Sequence, residues 1–230
     1  MRDKRKYSEM NKGELAFRLI NISFSIIMSL TCFIYFLILI ITKEDPTNRK
    51  WTTIGMTLLC LIPVVLEFIV KYRLSNMIYL FFNIFVFAAG FTGSVLYVYD
   101  KWPDYDKLIH FVFGYVGGII GMILICKLSD YDSLKPLFIC LVCFLVSMGC
   151  GALWECFEYL ADNLMGQTSQ GVPIEIPGGG TIVSLADTIE DLYANLFGAV
   201  LFSIHFVLHR ITGKNLLMGS IIDDFKRDFQ

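Results

Sequence analysis

The segment PLFICLVCFLVSMGCGALWECFEYLAD, residues 136–162, decides the fold of this chain. It is almost continuously apolar up to Trp154, and its length matches the roughly 20 apolar residues that a helix needs to cross a bilayer. Its last eight residues include Glu155, Glu158 and Asp162. The run therefore predicts a transmembrane helix, and the three acidic residues at its end indicate a polar site near one membrane surface.

The composition of the whole chain points to a membrane protein. Of the 230 residues, 56% are hydrophobic and 17% are charged, whereas a soluble domain usually has about 25% charged residues. The apolar runs predict an all-α polytopic bundle with six spans, at 17–42, 52–70, 77–99, 108–127, 136–159 and 187–209. The net charge of −2 gives no electrostatic reason to expect nucleic acid as a partner.

The distribution of Lys and Arg predicts the orientation of the spans. Fourteen of these residues lie on the side of the termini, and five lie on the other side. The positive-inside rule therefore predicts an N-in and C-in protein. The predicted organisation is a basic cytoplasmic segment at 1–16, a single transmembrane domain at 17–209 and a cytoplasmic tail at 210–230. The loop 160–186, which contains no Lys or Arg, then faces outward and is long enough to be functional.

Three predicted helix ends bring polar residues to the same outer depth. Within each helix these residues are spaced by three or four, which places them on one helical face. They are Asp106 and His110 on span four, Glu155, Glu158 and Asp162 on span five, and Asp187, Asp191 and Asn195 on span six. Ionisable groups at the centre of a span cost roughly 2.5–3.5 kcal/mol on insertion scales and less toward the interface. Bound cations, protons or water must offset that cost.

A divalent metal ion is one solution, because carboxylates and an imidazole suit Zn, Mn, Fe or Mg. The predicted metal ligands are Asp106, His110, Glu155 and Asp191. Glu158 and Asp187 are the predicted catalytic residues, with Glu158 as a general base. The alternative is that some carboxyl groups stay protonated, as in a proton relay.

Other polar residues have simpler interpretations. Asp187 can instead form a capping box with Ser184 at the start of span six. Lys101 and Lys107 lie in an outer loop, so we expect them to reach water rather than act as permanent partners of the acidic residues. Glu67 is expected to form a local ion pair. The two histidines His205 and His209 lie too far along span six to join the acidic residues, so they are expected to be interface residues.

Three motifs give the chain a resemblance to a known family. YDKLIHFVFG (105–114), LWECFEYLAD (153–162) and SLADTIEDLYANLFGA (184–199) occur in this order. With them the chain resembles the YjdF-like family of bacterial inner-membrane proteins, and the DK-x-x-H element also resembles VanZ-like membrane proteins. The resemblance implies a multi-pass protein of the inner membrane, and it implies no established reaction. Its polar positions are Asp106, His110, Glu155, Glu158, Asp187 and Asp191.

Three functions fit these observations. The first is a metal-dependent membrane enzyme that acts on a lipid or another amphiphilic substrate, which would reach the site laterally. The second is a proton- or cation-coupled transporter. Against it, the polar residues stop near one face, with Glu67 and Asn83 elsewhere in the spans, whereas transport needs access from both sides. The third is a structural or sensory protein. The expected partners are membrane lipids and a small-molecule or lipid substrate.

Overall fold

The long apolar runs form long helices in the computed structural model, which describes residues 10–44, 49–70, 74–102, 104–165, 169–171, 174–175, 178–179, 181–182, 185–215 and 217–229. Within these ranges, six helices are long and apolar enough to cross a membrane. The predicted all-α bundle with six spans is therefore confirmed. The N-in and C-in orientation stays a prediction.

The helices begin and end close to the predicted boundaries. In chain order they are α1 (Lys12–Thr42), α2 (Arg49–Val70), α3 (Asn76–Phe85), a π-helix (Val86–Val95), α4 (Val98–Lys101), α5 (Tyr105–Leu128), a 3-10 turn (Tyr131–Ser133), α6 (Pro136–Met165), α7 (Leu185–Thr212) and α8 (Met218–Phe229). Two short strands, β1 (Ile174–Glu175) and β2 (Thr181–Ile182), pair antiparallel in the segment that connects α6 to α7.

The third predicted span, 77–99, is not one regular helix. After α3 ends, the chain continues as ten residues of π-helix, followed by a turn in which Tyr97 has a φ of 66°. Such helices occur mostly as single-turn bulges, frequently at functional sites. Hydrophobic periodicity does not predict this change, because nearly every residue of the segment VFAAGFTGSV is apolar or small.

The chain forms two compact units, Met1–Tyr105 (unit 1) and Asp106–Gln230 (unit 2). The grouping of all six spans into one transmembrane domain at 17–209 stays a prediction. In unit 1, one face of α1 carries buried polar residues at spacings of three and four, namely Arg18, Asn21, Ser25 and Ser29. The Ser25 hydroxyl donates to Asn83 Oδ1 (2.7 Å), and the Ser29 hydroxyl donates to the backbone carbonyl of Thr57 (2.8 Å). Unit 1 is thus more polar inside than its sequence indicated.

Glu67 has a partner that the sequence did not indicate. Its carboxylate forms an ion pair with Arg18, whose side chain is fully buried. It also accepts hydrogen bonds from the backbone N–H of Leu74 and from the Tyr79 hydroxyl. The described ion pair therefore joins residues 49 positions apart, rather than neighbours in the sequence. The basic residues next to Glu67 in the sequence, at positions 71 and 73, lie outside the described residues.

In unit 2, glycines on two faces of α5 let neighbouring helices approach closely. A Cβ atom added to Gly114 would overlap the backbone of Asn195 on α7. On the other face, a Cβ atom added to Gly117 or Gly121 would lie within 3 Å of the Cα atom of Ser147 or Cys143, both on α6. Small residues at such positions are typical of helix pairs packed in membranes. This packing fixes α5 against both partners and brings the polar ends of the three helices together.

Candidate functional site

The acidic site is the polar cluster that unit 2 forms where α5 and α7 begin and α6 ends. It consists of Asp106, Lys107 and His110 on α5, Glu155 and Glu158 on α6, and Asp187 and Asp191 on α7. Four of these residues are buried, with exposed fractions of 2% for His110, 5% for Glu155, 8% for Glu158 and 1% for Asp191. The spacing of three and four residues within each helix turns these side chains to the same interior, as the sequence predicts.

His110 lies between two groups of carboxylates. Its Nδ1 atom is 3.5 Å from Glu155 Oε1, and its Nε2 atom is 3.8 Å from Asp106 Oδ1. One group combines His110 with Glu155 and Glu158, and the other combines it with Asp106 and Asp191. In each group, one ligand atom from every residue lies within 4.8 Å of the others. Either group has a donor set that suits a divalent metal ion, with ligand atoms close enough together to hold one.

The buried polar atoms of the first group have few hydrogen-bond partners in the part of the chain that the structure describes. Among the described residues, both oxygens of Glu155, Oε2 of Glu158 and Nδ1 of His110 meet no hydrogen-bond partner in good geometry. Glu158 Oε1 accepts from Trp154 Nε1 at 2.8 Å, and the Thr188 hydroxyl is a neighbour of Glu155. Buried polar groups in proteins are nearly always hydrogen-bonded. These atoms therefore fit a cation or a shared proton from outside the chain.

Lys107 is the site residue that the sequence interpretation placed wrongly. Its Nζ atom lies 2.6 Å from Asp187 Oδ1, 3.1 Å from Asp191 Oδ1 and 3.6 Å from Glu190 Oε2. Because α5 begins at Tyr105 rather than near 108, Lys107 belongs to its first turn and reaches α7 instead of bulk water. The acidic positions 187, 190 and 191, spaced by three and four on α7, are the signal that could have indicated a basic partner.

The connection between α6 and α7 is tied to both helices beside the acidic site. Asp162 accepts hydrogen bonds from the backbone N–H groups of Ser169 (2.7 Å) and Gln170 (2.9 Å). The Gln170 side chain donates to the carbonyl of Glu155 (3.3 Å) and to the Thr188 hydroxyl (3.1 Å). Asp162 therefore anchors the segment that connects α6 to α7, and it belongs to neither of the two groups around His110. The expected capping box at Asp187 involves position 184, which lies outside the described residues.

Three further polar residues of α7 have structural partners. Asn195 is fully buried, and its amide contacts the Ser147 carbonyl at 3.4 Å, one turn deeper than the acidic site. The Nδ1 atoms of His205 and His209 lie 2.5 Å from the Tyr115 hydroxyl and 2.7 Å from the Lys214 carbonyl oxygen. As the sequence indicates, neither histidine reaches the acidic site.

Replacement of Lys107 by methionine is expected to lower the free energy of unfolding by about 2–3 kcal/mol, because two carboxylates lose the cation that pairs with them. Asp191 is the more important of the two, since its side chain is almost fully buried. Thermal unfolding in detergent micelles measures the effect, and K101M is the control, because Lys101 is exposed. Equal unfolding midpoints for K107M and K101M would contradict the assigned ion pairs.

Comparison with known proteins identifies a family and no individual relative. A family model described as "Predicted membrane protein (DUF2238)" matches residues 24–211. No curated protein and no solved structure matches the chain. The matched range reaches from α1 to α7 and includes every residue of the acidic site. Because the match covers well over half of the chain and agrees with the YjdF-like motifs, this protein belongs to the DUF2238 family of predicted membrane proteins.

Proposed function

We propose that the protein is a metal-dependent membrane enzyme whose acidic site holds a divalent metal ion between His110, Glu155 and Glu158. The observation that supports this proposal is the set of buried atoms that meet no hydrogen-bond partner in good geometry among the described residues: both Glu155 oxygens, one Glu158 oxygen and His110 Nδ1. One imidazole and two carboxylates suit Zn, Mn or Fe, and three protein ligands are the usual number for a catalytic zinc site. A metal ion bound there would polarise a substrate oxygen and activate water.

The other carboxylates of the acidic site receive supporting roles in this proposal. Asp191, a ligand in the sequence-based prediction, is already neutralised by Lys107. Asp106 Oδ1 lies 3.8 Å from the Nε2 atom of His110, and its proposed role is to orient the ring, as carboxylates commonly do for metal-binding histidines. Asp187 holds Lys107 in place through its 2.6 Å contact. In this proposal Glu158 is a metal ligand instead of the general base. The general base is Asp106, whose side chain is 22% exposed.

A lipid or another amphiphilic molecule is the proposed substrate class. The helices that carry the acidic site present large apolar side chains on their outer faces close to it, such as Phe157, Leu160, Tyr193 and Phe197, all more than half exposed. In a bilayer these faces would contact lipid, so a substrate dissolved in the membrane would approach the site from this side. Localisation in the bacterial inner membrane belongs to the same proposal.

Metal analysis of the purified protein tests the proposal. Protein prepared without chelator is expected to contain about one divalent metal ion per chain, and E155Q and H110A are expected to lose affinity for it at least tenfold. E190Q is the matched control, because Glu190 lies at the same helix end and is mostly exposed. Wild-type protein without metal would contradict the proposal.

A second measurement separates an enzyme from a metal-binding structural protein. The metal-loaded protein is incubated with a total membrane lipid extract, and mass spectrometry compares the lipids before and after. We expect a product that forms with wild-type protein and E190Q but not with E155Q. An unchanged lipid profile with all three proteins would contradict the enzymatic role, even if the metal is bound.

A transporter is the second candidate, and the interior of unit 1 favours it. The buried polar face of α1, with Arg18, Asn21, Ser25 and Ser29, weakens the objection that polar residues are confined to one end of the spans. Proton or cation flux into proteoliposomes distinguishes this candidate. Flux that is lost in E155Q, from protein that binds no metal, would favour the transporter over the enzyme.

A further inference from the structure

A cavity of about 320 Å³ lies in unit 2 at the end opposite to the acidic site, where α5 and α7 end. It exists because α8 folds back against the end of the bundle. The turn uses Gly213 with a φ of 65°, and the Asn215 side chain accepts from the Ser220 backbone N–H (3.0 Å) at the start of α8. Met218, Ile221 and Phe225 of α8 are buried. Helix α8 is therefore packed against the rest of unit 2, and it forms one wall of the cavity.

Among the described side chains, the charged groups that line the cavity are one ion pair and two groups that form no ion pair. Lys226 on α8 pairs with Asp132 (2.5 Å). Among the described residues, Arg210 has no carboxylate within ion-pair distance, and Asp223 has no cation within that distance. Both line the same cavity. It thus offers one cation and one anion to a ligand that carries both charges.

Tyr131 adds a buried hydrogen-bond donor to the cavity. The residue is 4% exposed, and its hydroxyl lies beside the Arg210 guanidinium without meeting a described partner in good hydrogen-bond geometry. Burial raises the pKa of this hydroxyl, so it remains protonated at neutral pH. A hydroxyl and a guanidinium side by side are suited to the oxygens of a phosphate group.

The cavity lies at the ends of two apolar helices, where a membrane-spanning bundle would meet the lipid headgroups. The apolar helices α5 and α7 end at Leu128 and Thr212, and cavity residues such as Arg210 and Tyr131 lie within a few positions of these ends. Basic residues just beyond a span commonly meet the phosphates of the membrane surface. The volume is also in the range of small-ligand sites, which begins near 300 Å³.

We propose that this cavity binds the headgroup of a membrane phospholipid, with the phosphate held by Arg210 and the Tyr131 hydroxyl and a headgroup amine facing Asp223. His209 supports the phosphate end. Its Nδ1 atom is fixed by the carbonyl of Lys214, which leaves Nε2 for the ligand. Because it is formed by other residues at the other end of unit 2, this site is independent of the proposed metal site.

Binding of defined lipids to the delipidated full-length protein in detergent tests the inference. Native mass spectrometry measures retention of phosphatidylethanolamine, which has an amine, and phosphatidylglycerol, which has none. We expect wild-type protein to prefer phosphatidylethanolamine, R210Q to bind it about tenfold or more weakly, and Y131F severalfold more weakly. D223N should remove the preference between the two lipids.

The control is K214Q, which removes a positive charge at the same end but outside the cavity lining. Equal lipid binding by R210Q and K214Q would overturn the inference. Displacement of the lipid by millimolar inorganic phosphate would also overturn it, because the site would then recognise free phosphate. If R210Q unfolds at a lower temperature than K214Q, Y131F carries the test alone, and wild-type affinity in Y131F would overturn the inference.

Discussion

The R18M variant is expected to lose about 3–5 kcal/mol of unfolding free energy, because it leaves the Glu67 carboxylate without its buried cation. In the wild type, the Arg18 guanidinium pairs with Glu67 and donates to the Leu74 carbonyl (2.6 Å) and to Asn76 Oδ1 (3.1 Å). It also lies over the Tyr79 ring, 4.2 Å from the centroid. One substitution therefore removes an ion pair, two hydrogen bonds and a cation–π contact from the interior of unit 1.

Thermal unfolding in detergent micelles measures this effect, with a midpoint shift on the order of 10 °C. K12M is the control, since Lys12 lies in the first turn of the same helix and is exposed. In the double variant R18M/E67Q both charges are absent, so part of the lost stability should return. An R18M midpoint equal to that of K12M would show that the buried pair contributes no net stability.

The G198A variant is expected to force α7 away from α5. A Cβ atom at this position would overlap the Phe111 carbonyl oxygen and lie within 3 Å of the Tyr115 backbone N atom. Backbone cannot rotate out of the way as a side chain can, so we expect a loss of about 3 kcal/mol, at the upper end of the range for overpacking. The ion pairs of the acidic site should also weaken, because α5 carries Lys107 and α7 carries its two aspartate partners.

Gly149 provides the matched control for this variant. It also lies within a transmembrane helix of unit 2, but a Cβ atom added there meets nothing within 4 Å. G149A should therefore be neutral, or slightly stabilising because alanine favours helix. The unfolding midpoints of the two variants, measured side by side, isolate the effect of close packing. Equal midpoints for G198A and G149A would refute the close packing of α5 against α7 at Gly198.

The sequence predicts the parts of this fold that depend on local pattern. Apolar runs of about 20 residues specify the six spans, and spacings of three and four residues bring His110, Glu155 and Asp191 to one interior. Both signals are contained within single helices. The convergence of three helix ends follows once the spans alternate in direction.

The remaining features depend on contacts between residues that are distant in the sequence. Lys107 and Asp187 are 80 positions apart, and Arg18 and Glu67 are 49 apart, so no local pattern pairs them. A difference of three residues at the start of α5, 108 against 105, decides whether Lys107 is placed in solvent or in the first turn of the helix. The packing of α8 against unit 2 cannot be predicted from local pattern either. Its apolar residues do not indicate which surface they cover.

The ion pairs of Lys107 are expected to affect the order in which the helices leave the insertion machinery. The ribosome adds Lys107 80 residues before it reaches Asp187. During that interval the new helix enters the membrane with a lysine that has neither of its aspartate partners, and with glycine faces that give lipid little to pack against. Release of α5 from the insertion machinery into lipid is therefore expected to wait until α7 has been made. Nascent chains truncated before α7 should remain associated with the translocon, where they can be crosslinked.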